Sequence, residues 1–313
     1  MTRGDGIARR QLLAMLSLAA TATAHPLRAA MPKPTLGLQA ITIMNALGMD
    51  LPRTLRDVRR TGYRVLETIG ALGLPPSALA DRLAEAGLST NAQHLCPASF
   101  YPAMAAWSRG AVPMADIAVQ LNSVYALDRL PAILDEGIAT ARMLGQRYLV
   151  WSSLPAADLT DSAGLTRIIR AFDDAGRTCV REGLVFAFHN GSRGFAPVMG
   201  QRPYDLLLAE TDPALVKMEL DIYWAIKMGI DPVAILNRHP GRFALCHLKN
   251  MDDKRDIAPI PRRTTDTGRV DFPMIVAAAR RAGIAHFYFE QDQAPDPIRT
   301  MADARAMLAP LMR

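Results

Sequence analysis

The sequence predicts an α/β fold: a (β/α)8 TIM barrel in a single domain, behind an N-terminal export signal. Three observations predict it. Eight short β-rich runs succeed one another, at 35–43, 63–68, 89–95, 147–151, 184–189, 216–221, 243–248 and 286–290. Several are near-continuous apolar stretches, the pattern of parallel strands buried on both faces. Helical stretches at 54–60, 77–86, 132–144, 165–182 and 272–282 run up to Gly62, Gly87, Gly145, Gly183 and Gly283, and glycine best takes the left-handed position that closes a helix. Finally, six of the runs end in ionisable or amide residues, where a barrel builds its site. An open doubly wound sheet is the competing architecture, but no GxGxxG follows the first run.

The chain of 313 residues is half hydrophobic, with mean hydropathy +0.07. That excludes a disordered chain and supplies a large core. The net charge of +6 is partly local. Setting aside Arg3, Asp5, Arg9 and Arg10 leaves 33 basic against 29 acidic residues, a surplus of four. With no dense basic stripe, the chain has no nucleic-acid-binding signature. Cys96, Cys179 and Cys246 are far apart and odd in number; they form no metal ribbon and read as small buried residues.

The first 24 residues read as a signal peptide. Arg9-Arg10 is followed by a short apolar stretch and by Ala22-Thr23-Ala24, a small-residue cleavage site. The Arg-Arg-Gln-Leu-Leu start resembles a twin-arginine signal, which predicts export to the periplasm. Residues 25–34 read as a linker and 35–313 as the barrel. The processed chain has no stretch long and apolar enough for a stable membrane span. Residues 97–131 interrupt the strand–helix rhythm after the third run. They carry Phe100, Tyr101, Trp107 and Tyr125, and read as a partly helical insertion covering the site.

The strand ends carry the chemistry. The second run ends at Glu67, the third at His94, the fifth at His189-Asn190 and the sixth at Asp221. The seventh ends at His247-Leu248-Lys249 and the eighth at Glu290-Gln291-Asp292. On a barrel such positions converge on one axis. Two carboxylates and two imidazoles from adjacent strands make a mixed N/O site for a divalent cation. Mn²⁺, Co²⁺, Zn²⁺, Fe²⁺ or Ni²⁺, or Mg²⁺, would suit it better than Ca²⁺.

Over residues 35 to 295 the sequence resembles the sugar phosphate isomerase/epimerase family, the xylose-isomerase-like TIM barrels. The resemblance rests on GLQAITI with TLRDVRRTGYRVLET, on FAFHN, on YDLLLAETDPALVKMELDIYW, on GRFALCHLKN and on TGRVDFPMIVAAARRAGIAHFYFEQDQ. It implies a metal held by His189, Asp221, His247 and Glu290. Many members have a glutamate at the fifth strand; others carry His-Asn-His followed by Glu-Phe. Here the segment reads His189-Asn190-Gly191-Ser192-Arg193-Gly194-Phe195, so the second histidine and the glutamate are missing. The early Gln-Leu-Tyr-Thr-x-Arg pattern also departs, reading Gln39-Ala40-Ile41-Thr42-Ile43-Met44.

These readings predict a metal-dependent isomerase or epimerase acting on a free sugar, keto-sugar or glycoside through an enediolate. Glu290 is the expected base, with His189 or His94 as its partner and Lys249 on the enediolate oxygen. Glu67, Asn190, Trp151 and Trp224 are the expected substrate contacts. A β-eliminating lyase, or a barrel that binds a sugar or partner without turnover, are the alternatives. An AP endonuclease shares the barrel but needs more metal ligands than six histidines supply, and a DNA-binding face.

Overall fold

Eight parallel strands close on themselves in the computed structural model, which describes residues 33–252, 256–258 and 270–313. The signal peptide and most of the linker, through residue 32, lie outside the described residues. Strands β1 (Thr35–Gln39), β2 (Leu66–Ile69), β3 (Ala92–His94), β4 (Tyr148–Trp151), β5 (Val185–His189), β6 (Val216–Asp221) and β7 (Phe243–Leu248) follow in order around the barrel. A short ribbon of β8 (Asn250–Met251) and β9 (Ile257–Ala258) leaves the mouth. Strand β10 (His286–Phe289) then pairs with both β7 and β1 and completes the ring. No helix among the described residues is long and apolar enough to cross a membrane.

The helices form where they are capped. Asp50, Asp231, Asp271 and Asp296 each accept a backbone N–H at a helix start, and each of these helices has proline in its first turn. Gly87 and Gly145 end their helices at φ +67° and +68°, a conformation that penalises any Cβ.

Alternation along the strands sorts the side chains. Ala92, Val150, Ala187, Leu245 and Tyr288 pack together inside the barrel, while Phe186 and Phe188 turn outward onto Phe172 of helix Ser162–Arg181. Gly37 makes room for Tyr288: a Cβ there would stand 2.6 Å from the ring. Above this apolar layer the inner face becomes polar. Glu67, Glu219 and His247 are fully buried, and Asp221, two residues beyond Glu219, shares its face.

The strands are shorter than the sequence predicts at the start of the chain. The first run ends at Gln39 because its side chain accepts the Ile41 N–H at 2.7 Å and starts a 3-10 turn over Ala40–Ile43. Runs six and seven keep their predicted bounds. The insertion is helical over Tyr101–Ser108 and Met114–Val124. All three cysteines are buried and unpaired.

Candidate metal centre at the barrel mouth

The ends of β5, β6, β7 and β10 bring His189, Asp221, His247 and Glu290 together, with one donor atom from each lying within 4.8 Å of the others. Asp221 is held from two sides. Its backbone N–H donates to Asn190 Oδ1 at 2.9 Å, and Asn190 Nδ2 donates to its carbonyl at 3.0 Å. Its Oδ1 accepts the N–H groups of Tyr223 and Trp224 and caps helix Ile222–Lys227. Its Oδ2 is left buried without a hydrogen bond.

Neither ring nitrogen of His189 has a hydrogen-bond partner, and Nε2 stands 3.6 Å from Asp221 Oδ2, beyond hydrogen-bond reach. Burial lowers its pKa and keeps the ring in the neutral form that binds metals. Orphaned buried polar atoms are rare in proteins. Here three of them converge with an imidazole and a carboxylate, and this donor set fits a borderline divalent cation.

His247 links two layers. Nδ1 lies 2.5 Å from Glu290 Oε2 at the mouth; Nε2 lies 2.6 Å from Glu67 Oε2 and 3.2 Å from Glu219 Oε1 beneath. Burial alone would lower its pKa, but Glu219, Glu290 and Glu67 carry it well above the usual histidine range. The ring is thus set where positive charge is favoured. With a divalent ion in place of the ring's second proton, donation from Nε2 to a carboxylate would leave Nδ1 as the ligand atom.

The lower layer is Glu67, His94, Glu219 and His247, a second group whose donors converge. His94 Nε2 is 2.9 Å from Glu219 Oε2, and its Nδ1 is 2.9 Å from Ser152 Oγ. Burial and the neighbouring Glu219 push Glu67 up to about 7. Glu219, despite its own burial, is held well below the carboxylate range by His247 and His94.

Lys249 is fully buried. Its ammonium donates to Glu290 Oε1 at 2.6 Å and to Asp292 Oδ2 at 2.7 Å, and stands 3.9 Å from Asp221 Oδ2. Burial works against its charge, but Asp292, Glu290 and Asp221 keep it protonated. Glu290 is likewise ionised in spite of burial, through Lys249 and His247.

Four expected substrate contacts stand elsewhere. Trp151 is fully buried and meets Tyr125 edge-on at 4.8 Å. It lies next to inward-facing Val150 and therefore points away from the axis. Trp224 packs on Tyr223 at 5.0 Å, off the cavity wall. Asn190 is spent on the backbone of Asp221, and Glu67 supports His247 from below; both are fully buried. His94 lines the cavity, but both its ring nitrogens are engaged, so it faces a ligand through Ser152 rather than as a free base.

Sequence reasoning missed Glu219 and Ser152 as parts of the site, and placed Asp292 at the mouth without giving it a role. Glu219 was legible: it precedes Asp221 by two on a strand. Asp292 follows Glu290 by the same interval. Ser152 carried no signal of its own.

The fold and this donor set define a class: a (β/α)8 barrel with convergent imidazole and carboxylate side chains at the C-terminal mouth. No protein-family model matches the chain, and no curated protein matches its sequence. Solved structures do match. A sugar phosphate isomerase/epimerase from Parabacteroides distasonis ATCC 8503 superposes with TM-score 0.69 at 22% identity, over 91% of this chain and 97% of that one. An L-ribulose 3-epimerase matches with TM-score 0.61 at 16% identity, over 89% and 94%. A xylose isomerase-like TIM barrel protein from Mycobacterium smegmatis, solved in complex with magnesium, gives 0.61 at 14% identity, over 89% and 96%. The chain therefore has the fold of the xylose-isomerase-like TIM barrels.

Proposed function

We propose that the protein is a divalent-metal-dependent isomerase or epimerase of a free sugar, keto-sugar or glycoside, working through an enediolate. The observation that carries this reading is the set of buried, unpartnered donors on Asp221 and His189, facing Glu290 and His247. A divalent ion there supplies Lewis acidity toward a substrate carbonyl, which acidifies the neighbouring C–H. Glu290, ionised and fixed by Lys249 and His247, removes the proton from that carbon. The buried Lys249 ammonium, bonded to Glu290 and Asp292, supplies the positive charge nearest to where negative charge develops on the substrate oxygen. His189, across the mouth on β5, is the group available to the opposite face of the sugar.

β-Elimination is the second reading, and a specific feature favours it. The cavity-lining carboxylates, Glu290 and Asp292, both follow β10, and β5 offers an imidazole in place of one. A single carboxylate base serves elimination as well as isomerisation.

The experiment is solvent deuterium incorporation. Metal-loaded protein is incubated in D₂O with a panel of keto-sugars and 3-keto-glycosides and followed by NMR. Exchange at the carbon next to the carbonyl, abolished by chelator, is expected. Product with an unsaturated ring would select elimination, and the absence of both exchange and product across the panel would reject the enzyme reading.

We also propose export through the twin-arginine route, on the strength of Arg9 and Arg10. Changing both to Lys should leave unprocessed precursor in the cytoplasm; unchanged processing would reject that route.

A further inference from the structure

The cavity beside Glu290 is lined by two unlike sets of side chains. The polar set includes Gln39, Ser152, His189, Glu290 and Asp292. The apolar wall that the insertion adds carries Phe100, Met104, Trp107 and Leu121, with Ile41, just past β1, and Ile69, at the end of β2, also lining the cavity. The apolar wall is a built feature. Its helices, Tyr101–Ser108 and Met114–Val124, come from the insertion after β3 and are tied down at both ends. Tyr125 Oη donates to the Leu95 carbonyl at 2.7 Å, at the end of β3. Gln293 Nε2 donates to the Trp107 carbonyl at 2.9 Å, three residues beyond Glu290. Gln293 holds φ at +47°, a left-handed conformation that a non-glycine residue keeps only where its surroundings fix it. The insertion is therefore in register with the loop that carries the base.

A sugar bound only through hydroxyls does not use this wall. A hydroxyl turned toward Ile69, Phe100 or Leu121 would be buried without a partner. Met104 and Leu121 are half-buried and face the cavity although they pack at the edge of the core. Methionine adapts its shape to what lies against it, aromatic rings included. Pockets of this make-up, mostly apolar with a few placed polar groups, bind ligands that are themselves amphipathic.

We infer that the substrate carries an apolar substituent, an aryl or alkyl group on the sugar, seated against Phe100, Met104, Trp107 and Leu121 while the sugar ring faces Glu290. The inference rests on the sugar-site reading above and names its substrate class: a glycoside with an apolar aglycone, in place of a free or phosphorylated sugar.

The test uses phenyl and methyl glycosides of glucose, galactose, mannose and xylose, with the corresponding free sugars, sugar phosphates and phenol as probes. Binding to the metal-loaded protein is measured by calorimetry and ligand-observed NMR. For at least one sugar the phenyl glycoside should bind about tenfold more tightly than its methyl partner, the scale of a well-filled apolar pocket. Met104→Ser and Leu121→Ser, at half-buried positions, should each reduce the phenyl affinity toward the methyl level, with folding checked by circular dichroism. Equal phenyl and methyl affinities, a phenyl advantage untouched by either variant, or tighter binding of a sugar phosphate would each overturn the inference. So would failure of every phenyl probe to bind. Deuterium exchange on unsubstituted keto-sugars is read separately, so the catalytic reading can survive the loss of this one.

Discussion

The two layers of polar groups inside the barrel share His247 and differ in how the histidine that borders the cavity is satisfied: His94 has a partner on both ring nitrogens and His189 on neither. In the lower layer, His94 and His247 meet Glu67 and Glu219 at hydrogen-bond distance, although Glu67 Oε1 and Glu219 Oε1 stay buried without a hydrogen bond; of its four residues only His94 reaches the cavity. At the mouth, His189 and the outer oxygen of Asp221 have no hydrogen-bond partner, and His189 and Glu290 line the cavity. Both layers carry two carboxylates and draw on imidazoles, so residue type alone does not separate support from site. An unsatisfied ring that borders open space does, and that ring is His189. The lower layer fixes a ring; the upper layer presents atoms to a ligand.

This contrast predicts effects of different size. The largest belongs to Glu290, which the proposed reaction uses as its base. Glu290→Gln keeps the side-chain shape and an oxygen toward the metal but removes the base. Solvent exchange should fall about 10²–10⁴-fold while bound metal remains measurable. If exchange is as fast as in wild type, Glu290 is a ligand only, and the base lies at His189 or Asp292.

An intermediate effect belongs to the lower layer. Glu219→Gln lies off the cavity wall and outside the four residues at the mouth, yet it removes the charge that orients His247 and His94. Metal affinity should drop about 10–100-fold, read by competition with a fluorescent chelator. Unchanged affinity would mean that His247 needs no support from below.

The smallest effect is expected at Trp151. Trp151→Phe should leave substrate affinity unchanged and lower thermal stability slightly, since the side chain packs on Tyr125 outside the cavity. A raised KM with unchanged stability would return Trp151 to the binding surface.

The same physics explains what the sequence disclosed. Runs six and seven, VKMELD and FALCHL, were legible to the residue because apolar content and length leave no other reading. The convergence of His189, Asp221, His247 and Glu290 followed from strand ends on a closed barrel. What failed was the use of period two within strands. Trp151 was placed by its position at a strand end, although its neighbour Val150 faces inward and an adjacent residue must face outward. Glu219 was passed over although it shares a face with Asp221. Asn190 could not be read, because its role depends on a clasp with the Asp221 backbone across 31 positions of sequence. The insertion was visible as a break in rhythm, but that one of its faces lines the cavity emerges only from packing.

The central claim is that the mouth holds a divalent ion through Asp221 and its three companions. The most direct test is metal content by mass spectrometry of purified protein, stripped and reconstituted with Mn²⁺, Co²⁺, Zn²⁺, Fe²⁺, Ni²⁺ or Mg²⁺, for wild type and Asp221→Ala. Wild type should retain metal after desalting and the variant should not. The variant should lose only about 0.5–2 kcal/mol of stability, the cost of removing the cap on helix Ile222–Lys227. A folded wild-type protein that takes up none of these ions, or an Asp221→Ala variant that binds them as well as wild type, would contradict the account.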